Sequence, residues 1–124
     1  MTRAIFAVLA AACLFIGAAR AAVDTPLERA ITIAAINLNH AEHCGLGAAG
    51  HRYAFEHLQG FADQYAGRPV ATDELKALHE RFALAFNYAE ENWTKWFDRD
   101  NCPNILHKTA HDFPGIPSAV PISN

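Results

Sequence analysis

Cys44 and Cys102 each stand at the edge of a stretch with helical periodicity, so a bond between them would dictate how every element in between is arranged. A third cysteine, Cys13, lies in an N-terminal segment that reads as an export signal. Arg3 gives that segment a positive start, Ile5 to Gly17 is unbroken apolar or small sequence, and Ala19-Arg20-Ala21 supplies the small residues of a cleavage site. Its apolar centre is too short for a permanent membrane span. Residues 1–21 are therefore expected to be removed, leaving 22–124 as a single helical domain in a periplasmic or secreted setting. Two cysteines remaining in an oxidising compartment read most simply as a disulfide.

The periodicity predicts three helices. The first covers about 26–44: Thr25 is its N-cap, Pro26 fits its first position and Glu28 completes a capping box. Leu27, Ile31, Ala34, Leu38 and Ala41 trace one apolar stripe at spacings of three and four, Ile33 and Ile36 widen it, and Gly45 suits the turn that ends it. A second helix is expected over 47–66, with Ala54, Leu58, Phe61 and Tyr65 inward, flanked by Phe55 and Ala62, and closed by Gly67. Gly50 and Gly60 each weaken it by up to ~1 kcal/mol relative to Ala. The third, over 72–98, is capped by Thr72 and buries Leu75, Leu78, Phe82, Ala85, Ala89, Trp93 and Trp96.

Short connections make successive helices antiparallel. The upper ends of the first and third then lie side by side, where Cys44 and Cys102 can meet within the ~7 Å between Cα atoms that a disulfide needs. The fold expected is all-α: an up-down-up three-helix bundle with one disulfide. There is room for a short fourth helix over 104–112, with Leu106 and Ala110 inward. Pro114, Pro117 and Pro121 make 113–124 a proline-rich extended tail. That tail carries Phe113, Ile116, Val120 and Ile122, so it either packs along the bundle or docks on a partner.

Charge removes some functions. The chain carries −3 overall, and −5 once Arg3 and Arg20 leave with the signal, which provides no basic footprint for nucleic acid. No segment after the signal is long enough to embed in a membrane. Catalysis has little to stand on. Ser118 and Ser123 sit in the tail without a nucleophile-elbow motif, and carboxylates such as Glu56, Glu80 and Glu90 fall on faces that read as solvated. Covalent haem attachment needs Cys-x-x-Cys-His, which is absent.

Binding is the function expected. The third helix outruns the other two by about 10 Å at 1.5 Å per residue. Its last turns hold Tyr88, Trp93, Trp96 and Phe97, and Trp and Tyr dominate interface hot spots. Such an end would meet a protein partner in the manner of an inhibitor, an immunity-type neutraliser or a stress accessory factor. The acidic balance suits a basic partner. The alternative is a periplasmic transition-metal binding protein. His40 and His43 at i, i+3, and His107 and His111 at i, i+4, could converge near the disulfide to hold Zn, Cu or Ni.

Overall fold

A computed structural model describes residues 25–120 and residue 122, and the expected signal over 1–21 lies outside the described residues. Among the described residues every regular element is helical: α1 (Pro26–His43), α2 (Ala48–Glu56), α3 (Leu58–Ala66), α4 (Thr72–Trp96) and α5 (Cys102–Asp112), with a 3₁₀ turn at Arg99–Asn101 before α5. None of these helices is long and apolar enough to cross a membrane. Cys44 and Cys102 are joined in a disulfide with Cα atoms 5.6 Å apart, across a sequence separation of 58.

Local chemistry explains most of the boundaries. Thr25 Oγ1 accepts the Glu28 backbone N–H at 3.1 Å, so α1 starts where a side chain satisfies one of its free donors. Gly45 and Gly67 take positive φ, 101° and 69°, and turn the chain out of α1 and α3. The expected helix over 47–66 is two helices, because the chain breaks at His57. There the backbone turns to φ −104° and ψ 16°, while the Tyr53 carbonyl still accepts the His57 N–H at 2.9 Å and lies 2.8 Å from the ring Nδ1. Thr72 is not the cap of α4; Ala71 holds that position, without a side-chain bond, and Thr72 is the first helical residue.

α1 is the shaft of the molecule. Ile31, Ala34, Ala35, Leu38 and Ala41 are fully buried, and α1 touches each of the other four helices. Its contacts with α4 climb together: Glu28 Oε2 is 3.0 Å from an Arg81 guanidinium nitrogen, Asn39 reaches Glu90, and His43 stacks on Trp93. The two helices therefore run in the same direction. α5 runs against α1, since Cys102 meets Cys44 while Asn37 Nδ2 donates to the Ile105 carbonyl at 3.1 Å and to Thr109 Oγ1 at 2.9 Å. α2 likewise runs against α4, with His51 beside Phe86 and Phe55 beside His79.

Several inward assignments shift. Ile33 is 55% exposed rather than a flank of the core. In α5 it is Ile105 and Thr109, not Leu106 and Ala110, that are buried, because the helix begins at Cys102 and Thr109 returns its hydroxyl to the Ile105 carbonyl. Tyr65, expected inward, is exposed. The buried row runs straight through the break, Gly50, Ala54, Leu58 and Ala62 at steps of four, with Ala54, Leu58 and Ala62 as their spacing implies.

The segment after α5 lies against the body of the protein. Phe113 and Ile116 are buried, Tyr53 donates its hydroxyl to the Pro114 carbonyl at 2.6 Å, and the Ala119 N–H reaches the Leu46 carbonyl at 3.1 Å. It therefore covers the start of α2. Replacing both bridged cysteines by Ala is expected to lower stability by up to ~4 kcal/mol on the loop-entropy model. Urea unfolding followed by circular dichroism measures it, and an unchanged midpoint would show that the bridge contributes nothing.

Candidate functional site

The four aromatic residues expected to form a binding end divide into two pairs. Trp93 and Phe97 are half-buried and pack on α1. The Trp93 ring stacks on His43 at 3.8 Å between centroids and meets Phe97 edge-on at 5.4 Å, and His40 meets Phe97 edge-on at 5.9 Å. Tyr88 and Trp96 face solvent, 55% and 52% exposed, with ring centroids 5.7 Å apart. The division follows the α1 contacts: Trp93 and Phe97, four residues apart, share the side that meets His40 and His43, and Tyr88 and Trp96 lie off that side.

Next to the exposed pair, a groove of about 630 Å³ opens between α1 and α4. Leu27, Ile36, Leu78 and Leu84 give it an apolar lining, and Tyr88 stands on its rim. Leu84 is 71% exposed, more than any other large apolar side chain among the described residues. Ile33, Leu84, Tyr88 and Trp96 are thus four large exposed apolar residues carried by the same two helices. Scattered single residues of this kind are ordinary, but Leu84 and Tyr88 share a groove.

Behind Trp93 lies a polar knot that sequence reasoning missed. Asn39 is completely buried and donates from Nδ2 to Glu90 Oε2 at 2.6 Å, while His43 Nε2 lies 2.8 Å from the same oxygen. These two hydrogen bonds, Asn39 first, hold the Glu90 carboxyl below its ordinary value. Glu90 is exposed, as expected, but its carboxylate is engaged by two side chains of α1. Its signal was slight: an asparagine in the buried stripe of α1 needs a partner, and α4 is the neighbour that can supply one. Nearby, burial first and then the charge of Glu90 push the Glu42 carboxyl up, with His43 opposing. His51 Nδ1 is 3.9 Å from Glu42 Oε1, too far for a hydrogen bond, and its ring lies edge-on to Phe86 at 4.2 Å.

The histidine pairs do not converge into one site. His40 and His43 are engaged with Phe97, Trp93 and Glu90 as described. His107 and His111 line a separate shallow cavity with Pro114, Ile116 and Ile122. Among the described residues, no group of three or more His, Cys, Asp or Glu side chains is placed to hold a metal ion. His57 and His79 turn ring nitrogens to backbone carbonyls, of Tyr53 at 2.8 Å and of Phe55 at 3.0 Å.

No protein-family model matches the chain, and comparison with curated proteins and with solved structures finds no match either. The site must be read from its own geometry.

Two imidazoles make that geometry sensitive to pH. Burial lowers the pKa of His40, with repulsion from His43 second, and burial lowers that of His51. As pH falls below their ordinary value of 6.5, the unfolded chain takes up protons that the folded chain refuses, so stability falls with it. Glu42 works in the opposite sense, because its raised pKa lets it take up a proton in the fold first. The Glu90 contribution is lost only at lower pH, once the carboxylate itself is protonated. The melting temperature is expected to drop by a few degrees between about pH 7.5 and about pH 5.5. In a His40→Gln/His51→Gln variant, the drop is expected to shrink by roughly half, and an identical slope would contradict this assignment.

Proposed function

We propose that this is an exported, small helical binding protein, of the inhibitor, immunity-type or stress-accessory kind, that meets a protein partner through the outer face of α4. The observation that carries the reading is the Tyr88–Trp96 pair, two large aromatic side chains side by side and half-exposed beside an apolar groove. Rigid aromatic side chains on a helix lose little conformational freedom on binding and bury much area, which is why they anchor interfaces. The described part of the tail supports the reading: Phe113 packs on Phe61 and Phe82, the tail backbone bonds to Tyr53 and Leu46, and Tyr88 and Trp96 stay exposed.

On this reading Trp93 and Phe97, rather than touching the partner, brace the end of α4 from beneath. The scaffold is an up-down-up arrangement of three helical rods, the second broken at His57, with α5 and a proline-rich tail closing one side. The disulfide suits an oxidising compartment and with it the proposed export signal.

The test is affinity capture from a periplasmic extract, followed by chemical cross-linking, with the oxidised protein and two variants. Wild type and Tyr65→Ala, an exposed aromatic site on α3, are expected to retain the same partner. A Tyr88→Ala/Trp96→Ala variant with unchanged melting temperature is expected to retain at least ~10-fold less, the scale of ~1.4 kcal/mol or more from two hot-spot residues. Equal capture by all three would place the binding surface elsewhere or nowhere.

A further inference from the structure

His40 and His43 pack on Phe97 and Trp93, His51 lies edge-on to Phe86, and His57 and His79 face backbone carbonyls. The remaining two of the seven histidines share one cavity. His107 and His111 stand on the exposed side of α5, and both line the same space of about 490 Å³. Four residues apart on one helix, they are surface neighbours with Cβ atoms ~5–6 Å apart. That spacing lets one nitrogen of each ring reach a single ion at the ~2.0 Å of a metal–imidazole bond. An imidazole has two ring nitrogens, so each ring can bind a metal through one and keep a hydrogen bond through the other.

The far wall of the cavity is the chain as it leaves α5. Gly115 takes φ 83°, and the Tyr53 hydroxyl holds the Pro114 carbonyl at 2.6 Å, which fixes the backbone as it turns beside the two rings. Ile116 and Ile122 add apolar side chains that offer no competing donor.

The donor set selects the ion. Asp112, the carboxylate next to His111, is held by Lys108 at 2.6 Å. Among the described residues, no third His, Cys, Asp or Glu is placed to complete a site. Zinc sites use three or four protein ligands, more than are offered here. Calcium and magnesium require oxygen ligands, and Cu(I) favours thiolates, whereas Cys44 and Cys102 are tied in the disulfide. Copper(II) is different. It binds nitrogen donors more tightly than the other divalent first-row ions do, and it accepts two imidazoles in one plane with solvent oxygens completing the square.

We propose that His107 and His111 form a two-imidazole site for a divalent copper ion, set between the last turns of α5 and the chain that follows it. The site shares no residue with the α1–α4 groove or the aromatic pair, and it does not rest on the docking surface proposed above.

The probe is copper(II) chloride, titrated calorimetrically onto tag-free, oxidised protein, with zinc chloride as the comparison. One copper ion per chain is expected, bound at least ~10-fold more tightly than zinc. Electron paramagnetic resonance of the complex is expected to show two coordinated imidazole nitrogens. His107→Gln and His111→Gln each reduce a two-point attachment to one. Each is expected to weaken copper binding at least ~10-fold, with an unchanged circular dichroism spectrum. His79→Gln and an N-terminally acetylated form are expected to bind as wild type does. Copper held equally by both single variants would overturn the proposal, as would tighter binding of zinc or a spectrum with fewer than two nitrogens. Loss of binding on acetylation would overturn it by placing copper at the N-terminal amine. Copper-dependent dimerisation, seen by light scattering, would do so by giving the histidines to a site shared between two copies. Partner capture through Tyr88 and Trp96 is expected to be the same with and without copper, so the two readings fail separately.

Discussion

One helix with small side chains holds the molecule together. α1 is buried along most of its length and is in contact with every other helix, which is possible because Ala34, Ala35 and Ala41 alternate with Ile31 and Leu38. The alanines let neighbouring backbones come close, and the branched residues fill what remains. Among the described residues no other helix is buried along so much of its length. The disulfide acts at the end of this shaft: it fastens the start of α5 to the residue that follows α1 and brings α5 back along the shaft in the opposite direction.

That arrangement determines which surfaces are left over. α1 ends level with Trp93, where Asn39, His43 and Glu90 close the junction by hydrogen bonds and a stacked ring. Past that point Phe97 still meets His40 and His43, while Trp96 faces solvent. Farther down, Leu84 and Tyr88 border the groove between the shaft and α4. The polar knot therefore separates a packed half of the aromatic end from an open half. Nearby, the half-buried rings of His40 and His51 resist protonation.

The reach of the sequence is clearest where a signal is local. The stripe Leu27, Ile31, Ala34, Leu38, Ala41 is buried as its spacing implies, the Thr25 cap forms, and the two cysteines pair. Other features depend on neighbours far along the chain. Gly50 reads as a weak point in a helix, yet a Cβ there would come within 2.7 Å of Leu46 and 3.2 Å of the Pro117 carbonyl, so it is the place where the tail passes closely. The one-residue phase change in α5 follows from its start at Cys102 and from the bond of Thr109 to Asn37, some seventy residues away. Of the site, Tyr88 and Trp96 were legible as aromatic residues on a long helix. Their separation from Trp93 and Phe97 was not, because it depends on the ring contacts that His40 and His43 make with the latter two.

The claim that α1 is the shaft can be measured directly by native-state hydrogen exchange of the oxidised protein. The backbone amides from Ile31 to Ala41 are expected to exchange slowest, opening only with global unfolding, while those of α2 and α3 on either side of His57 open earlier. If the amides of α1 exchange as fast as those of α2 and α3, the molecule is not built around that helix, and the surfaces derived from it lose their basis.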